Sequence, residues 1–281
     1  MQSDPPLMEN PDANACAETP APEALPRPGD SYVQSFARGL AVIRSFSAAA
    51  PQQTLSEVAA ASGLTRAGAR RILLTLQTLG YVESDGRLFR LTPRILDLGF
   101  AYLSSMPIWD LAEPSMEALA DQVRESCSAA VLDGHDIVYV LRVHTHKIMS
   151  TNLGVGSRLP AFWTSMGRML LADLPEERLA ALLRDLPRRR FTPRTALDDA
   201  DLLARIRAAR TQGWCLIDQE LEEGLISVAA PLRDRAGRTV AALNISGQAN
   251  RTSAKVMQRE LLPALLRTAE TISRLLGTRR G

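Results

Sequence analysis

A chain of 281 residues with 46% hydrophobic side chains is long enough for two domains with cores, and a net charge of +2 gives its partners no overall sign. No run of about 18 apolar residues occurs, which excludes a membrane-spanning helix. Three widely spaced cysteines, Cys16, Cys127 and Cys215, exclude a disulfide framework and suit a reducing cytoplasm.

The charge is unevenly placed. Residues 1–30 set Arg27 against six carboxylates, whereas residues 31–105 set eight arginines against four. The first stretch is rich in Pro and Ala and is expected to be disordered. It lacks the basic start and apolar run of a secretory signal.

Residues 31–92 predict a small domain. Val33, Phe36, Ala37, Leu40, Ile43 and Phe46 recur at helical spacing and would form one wall of its core. Thr54-Leu55-Ser56-Glu57 fits a capping box, and Gly63 supplies a left-handed helix end. Thr65 then caps a second helix. At about 100° per residue, Ala69, Ile72, Leu73, Leu76 and Leu79 share one face of it. Arg66, Arg70, Arg71, Thr75, Gln77 and Thr78 share the other, with Leu74 as the exception.

Strands over 81–84 and 87–91 flank Asp85-Gly86, a two-residue turn signal. Helix, turn, basic helix and hairpin in that order predict a winged helix-turn-helix. Arginine's planar fork can bond guanine O6 and N7 together or clamp a phosphate. The candidate DNA contacts are Thr65, Arg66, Gly68, Arg70 and Arg71 on the helix and Arg87 on the wing; Gly68 would let the backbone approach closely.

Thr92 and Pro93 open a linker helix over 93–106, as cap and first residue. Ile95, Leu98, Gly99, Tyr102 and Met106 share a face, and Pro107 ends it. That face is expected to pack on its own copy, because readers of two-fold DNA sites pair.

Residues 107–281 mix both element types. Helices are expected over 110–125, 167–172, 175–185, 198–211 and 253–276. Strands are expected over 128–132, 137–143, 147–153, 214–218, 226–233 and 239–246, with a loop over 154–160. Adjacent hairpins surrounded by helices predict an α+β sensor domain with a mostly antiparallel sheet.

Little in this half points to catalysis. His144 and His146 alternate, but no Cys or carboxylate at metal-ligand spacing completes a set. Cys127 and Cys215 lack a local base, and phosphate-loop and dinucleotide motifs are missing. No catalytic residue, metal or cofactor is therefore expected. Phe162-Trp163-Thr164-Ser165-Met166-Gly167 lies between a Gly-containing loop and a helix start, where free amides can receive a carboxylate. Trp163 and Met166 could wall an apolar ligand body, or Thr164 and Ser165 could simply cap the helix. Asp218, Ser227, Asn244 and Ser246 lie on strands, the last two sharing a sheet face by period two.

The chain resembles the isocitrate lyase regulator (IclR) family of transcription factors over about 33–277. In the first domain the resemblance rests on Leu55-Ser56-Glu57-Val58-Ala59, Gly63-Leu64-Thr65, Arg71-Ile72-Leu73 and Leu79-Gly80-Tyr81-Val82. In the second it rests on Arg158-Leu159-Pro160-Ala161, the run from Gly167 to Ala172, the run from Asp218 to Gly224, Val228-Ala229-Ala230-Pro231 and the run from Ala242 to Gly247. The stretch from Leu159 to Arg168 resembles the branch that controls aromatic acid catabolism through the β-ketoadipate pathway.

The resemblance implies a GAF-like effector domain, a homodimer or homotetramer, and a near-palindromic double-stranded DNA operator. It also implies an aromatic or dicarboxylic acid effector, such as protocatechuate, 4-hydroxybenzoate or β-ketoadipate. Effector contacts would then fall on Trp163, Thr164, Ser165, Met166, Gly167, Asp218, Ser227, Asn244 and Ser246. Asn244 stands where some glyoxylate-sensing members have Ser, and Ser227 where they have Cys. A member sensing glyoxylate or pyruvate is one alternative. An architectural DNA binder and a DNA-tethered enzyme are the others.

Overall fold

The computed structural model describes residues 32–105, 108–144 and 153–278, and the chain divides into two compact units between Asp97 and Leu98. In the first unit, helix α1 (Gln34–Arg44) precedes a two-residue strand β1 (Gln53–Thr54), helix α2 (Leu55–Ala61) and helix α3 (Arg66–Thr78). Strands β2 (Val82–Ser84) and β3 (Leu88–Leu91) complete a three-stranded antiparallel sheet in the order β1-β3-β2. The capping box is present: Thr54 Oγ1 accepts from the Glu57 amide, and the Glu57 carboxylate accepts from the Thr54 amide at 2.7 Å. Gly63 has φ +67°, the left-handed turn that separates α2 from α3.

Burial corrects two of the expected faces. The core is Val42, Val58, Ala59, Ala69, Leu73, Leu76 and Val82, with Ile43 and Phe46 packed at its edge. Val33 (63% exposed), Phe36 (68%) and Leu40 stay in solvent, because only the C-terminal end of α1 reaches the helix pair. Leu79 is exposed as well: it caps α3 just where Gly80, at φ +80°, turns the chain away.

The wing is one residue out of step with its predicted turn. Ser84 pairs with Phe89 and the Asp85 amide donates to the Leu88 carbonyl, so the two turn residues are Gly86 and Arg87. Asp85 is instead the residue before the turn. Its Oδ1 accepts from the Arg87 and Leu88 amides at 2.9 and 2.8 Å, while Gly86 (φ +99°) supplies the positive φ of a primed turn.

A 3₁₀ turn (Pro93–Ile95) leads into helix α4 (Leu96–Ser105). Thr92 stands at the N-cap position with Pro93 first, but its side chain makes no capping bond; its hydroxyl donates to the Gly80 carbonyl at 2.6 Å and ties the linker to the end of α3. Leu96, Leu98, Phe100 and Tyr102 are all exposed. The positions expected to finish this face and this helix, Met106 and Pro107, lie outside the described residues.

The second unit begins with α5 (Ile108–Val123), β4 (Ser126–Asp133), β5 (Asp136–Val143) and β6 (Arg158–Pro160). A 3₁₀ turn (Ala161–Trp163) and helices α6 (Ser165–Leu171), α7 (Glu176–Arg184) and α8 (Asp199–Gln212) follow. Strands β7 (Cys215–Asp218), β8 (Leu225–Arg233) and β9 (Thr239–Gln248) precede α9 (Ala254–Val256), a π-helical turn (Met257–Leu261) and α10 (Leu262–Thr278). All six strands form one antiparallel sheet in the order β6-β5-β4-β9-β8-β7. The final three residues of the expected 154–160 loop are thus an edge strand. The expected strand over 147–153 lies outside the described residues except for Leu153, as does His146.

Helices cover both sheet faces. On one side Ala112, Met116 and Leu119 of α5 and Leu265 and Ile272 of α10 pack on Leu243, Ile245 and Val228. On the other, Met166, Met169 and Leu170 of α6 and Leu202 and Ile206 of α8 pack on Ala130, Tyr139 and Ala242. The β4–β9 pairing sits at the centre and joins a two-hairpin sheet into one platform. No described helix is long and apolar enough to cross a membrane.

Candidate functional site

Helix α3 presents the first candidate site. Thr65 Oγ1 accepts from the Gly68 amide at 3.1 Å, so one orphan donor at the helix start is satisfied. A Cβ on Gly68 would lie 3.2 Å from that same oxygen, so this glycine has a local packing reason as well as any DNA-facing one. Arg66, Arg70 and Arg71 are exposed and have no ion-pair or hydrogen-bond partner among the described residues. Arg87 stands exposed in the wing turn. Arg90, the other wing cation, is already held by Glu83 directly across the hairpin at 2.7 Å.

The second candidate site lies under α6, on the sheet face that α8 also covers. Register places its residues in two rows. Arg142, Ser128, Asn244 and Ala229 stand side by side across β5, β4, β9 and β8. One step along, Ser126, Ser246, Ser227 and Ile217 do the same. Neighbours within a row are about 5 Å apart, so polar groups from four strands converge. From above, Ser165 in the first turn of α6 brings its hydroxyl to 2.9 Å from that of Ser227.

The first row carries unspent hydrogen-bonding capacity. The guanidinium of Arg142 donates to Ser128 Oγ at 3.2 Å, yet its Nε is buried without a partner, and so is Oδ1 of Asn244. Burial lowers the pKa of Arg142, and burial likewise pushes the neighbouring Tyr139 phenol up to about 12. No carboxylate pairs with Arg142 among the described residues. A buried, unbonded donor and a buried, unbonded acceptor in one row are costly unless something completes them.

The flanking residues hold this region rigid. Gly167 allows α6 to press on the preceding turn, since a Cβ there would sit 2.1 Å from the Ala161 carbonyl oxygen. Thr164 Oγ1 caps the helix by accepting from the Gly167 amide at 3.1 Å. Arg168, fully buried, makes a bidentate pair with Glu220 at 2.9 and 2.6 Å, and Arg205 adds a third bond at 3.1 Å. Trp163 is core: its indole N–H donates to the Ala196 carbonyl at 2.6 Å and its ring meets Phe191 edge-on. Met166 is buried beside it.

The structure therefore brings together Ser165, Ser227, Asn244 and Ser246 from the predicted set, with Thr164 and Gly167 shaping their roof. It sends Asp218 elsewhere. Asp218 pairs with Ile226, one residue out of phase with Ser227, and its carboxylate is taken by Arg194 at 2.5 Å. Three polar residues of the two rows escaped the sequence reading: Arg142, Ser128 and Ser126. Arg142 left one signal: it is the sole charged residue between Ile137 and Val143. A surface cleft of about 340 Å³, lined by Tyr102, Leu132, Leu170 and Arg178 among others, opens elsewhere and includes none of these serines. Among the described residues no His, Cys, Asp and Glu cluster suits a metal.

Comparison with known proteins covers both units. Residues 35–86 match the IclR helix-turn-helix domain and residues 100–274 match the bacterial transcriptional regulator IclR C-terminal domain. The chain is 40% identical over 263 residues to the Pca regulon regulatory protein of Pseudomonas putida, covering 93% of this chain and 88% of that one. A transcriptional regulator from Rhodococcus sp. RHA1 superposes with a TM-score of 0.79 at 51% identity, over 87% of this chain and 98% of that one. An IclR homologue from Microbacterium hydrocarbonoxydans, complexed with 4-hydroxybenzoate, superposes with a TM-score of 0.74 at 25% identity, over 86% and 99%.

Proposed function

This chain belongs to the IclR family of bacterial transcriptional regulators, and from that premise we propose that it controls aromatic acid catabolic genes in response to a hydroxylated aromatic acid. It regulates transcription through operator DNA and acts in the cytoplasm, where that DNA lies. Thr65, Arg66, Gly68, Arg70, Arg71 and Arg87 form the DNA-facing surface. Two winged domains engage a near-palindromic site, and the exposed apolar residues of α1 and α4 suit pairing with a second copy. Sedimentation is expected to report at least two chains per particle.

The observation that carries the effector reading is the buried, unbonded Nε of half-buried Arg142, with the unbonded Oδ1 of Asn244 on the far side of Ser128. A carboxylate placed there accepts from Arg142 and Ser128. A ring hydroxyl donates to Asn244 Oδ1, and Met166 and Trp163 supply the apolar wall. The P. putida relative's name and the 4-hydroxybenzoate complex support the same chemical class. The ligand must favour one DNA-binding state over the other, or nothing switches.

Calorimetry with 4-hydroxybenzoate tests this reading. Arg142→Met is expected to weaken binding at least tenfold, the loss of a charged hydrogen bond, while operator affinity without ligand stays unchanged. Benzoate, which lacks the donor for Asn244, is expected to bind less well than 4-hydroxybenzoate. An unaltered ligand affinity in Arg142→Met would refute the site. A response to glyoxylate or pyruvate alone would refute the ligand class.

A further inference from the structure

On α3 one long outward side chain cannot serve a phosphate or a hydrogen-bonding base edge. Leu74 is 41% exposed, four residues after Arg70 and three after Arg71, and so shares their face. Ala67, a full two turns earlier, lies on the same line and is exposed. The hydroxyls nearest to it are spent: Thr75 donates to the Arg71 carbonyl and Thr78 to the Leu74 carbonyl, both at 2.9 Å. The N-terminal half of this face is thus basic, and its middle is aliphatic.

A lone exposed leucine on a protein surface is ordinary. This one is not placed on an ordinary surface. It stands past the midpoint of the helix read as entering the major groove, and no described element of its own unit covers it. In that groove each base shows a distinct edge, and only thymine shows a methyl group. An aliphatic side chain offers nothing to guanine, adenine or cytosine beyond bulk. Resting on the reading of α3 as the DNA-facing helix, we infer that Leu74 selects a thymine in each half-site through its 5-methyl group. Arg70 and Leu74 are about 6 Å apart along the helix. That thymine then lies about two base pairs from whatever Arg70 contacts.

The test uses the full chain and duplexes it selects from a random library. Each thymine of the selected site is replaced in turn by deoxyuridine, which removes the methyl group alone, and affinity is followed by fluorescence anisotropy. The wild-type chain is expected to lose about fourfold at one position per half-site, the worth of one buried methyl group. Leu74→Ala is expected to be indifferent to deoxyuridine at that position and to bind the parent duplex about as weakly as wild type binds the substituted one. Leu74→Met, still aliphatic, is expected to keep the sensitivity. A wild-type chain insensitive to every thymine methyl overturns the proposal, and so does a loss that persists in Leu74→Ala. Failure to select any duplex overturns the placement of α3 on DNA itself, and this proposal with it.

Discussion

A single missing side chain decides how the effector unit closes over its polar rows. Gly167 lies against the Ala161 carbonyl so closely that a methyl carbon would sit 2.1 Å from that oxygen, far inside contact distance. Gly167→Ala must therefore lift the first turn of α6, moving Ser165 away from Ser227. Overpacking of this kind costs about 1–3 kcal/mol, and urea unfolding is expected to show a loss in that range. A variant with unchanged midpoint and unchanged Ser165 environment would mean that the contact relaxes without cost. Arg142 acts in the opposite sense at the same scale. It is present in full, and what its Nε lacks is an acceptor.

At the scale of elements, signals held within a few residues were legible and those carried by pairing were not. The capping box at Thr54 and Glu57, the left-handed Gly63 and the Thr65 cap all satisfy neighbours three residues away, so spacing alone reveals them. The apolar stripe of α1 was misread because helical spacing says which residues share a face, not whether anything covers it. Strand β1 is two residues long and exists through its pairing with Phe89 and Leu88, too little to leave a pattern. Ser128 and Asn244, 116 positions apart, meet only through the central strand pairing. The wing shows the same limit: Asp-Gly marked the turn, but the two amides accepted by Asp85 set its register.

Those amide bonds give the wing a pH dependence. Donation from the Leu88 and Arg87 amides holds the Asp85 carboxyl below its ordinary value. A lowered folded-state pKa means that the bonds contribute fully above the ordinary carboxylate range, about pH 4, and are lost as pH falls through the folded value. NMR titration is expected to show the Arg87 and Leu88 amide shifts moving together only below about pH 4. Asp85→Asn is expected to abolish that transition; its survival in the variant would assign it to another group.

At the scale of the whole molecule, the small net charge is a sum of opposed parts. Residues 1–30 hold six carboxylates against Arg27, and the arginines of α3 and the wing belong to the basic remainder. Removing residues 1–30 is expected to tighten non-specific DNA binding about three- to tenfold at roughly 50 mM salt, with the difference shrinking toward 0.5 M as screening shortens. Filter binding across a salt series measures this directly. Equal affinities at all salt concentrations would show that the tail's charge is not felt at the DNA-facing surface.

The crowding at Gly167 also bears on how such a regulator could acquire a new inducer. The roof of the polar rows is constrained three times over, by the Ala161 carbonyl, by the Thr164 cap and by the buried Arg168–Glu220 pair. Substitutions there disturb folding before they alter taste. The floor is freer, because Ser128, Ser227, Asn244 and Ser246 sit on paired strands whose backbone bonds do not depend on side-chain identity. Descent with altered ligand preference, natural or in a biosensor library, is therefore channelled through the strands, and the helix above them changes last.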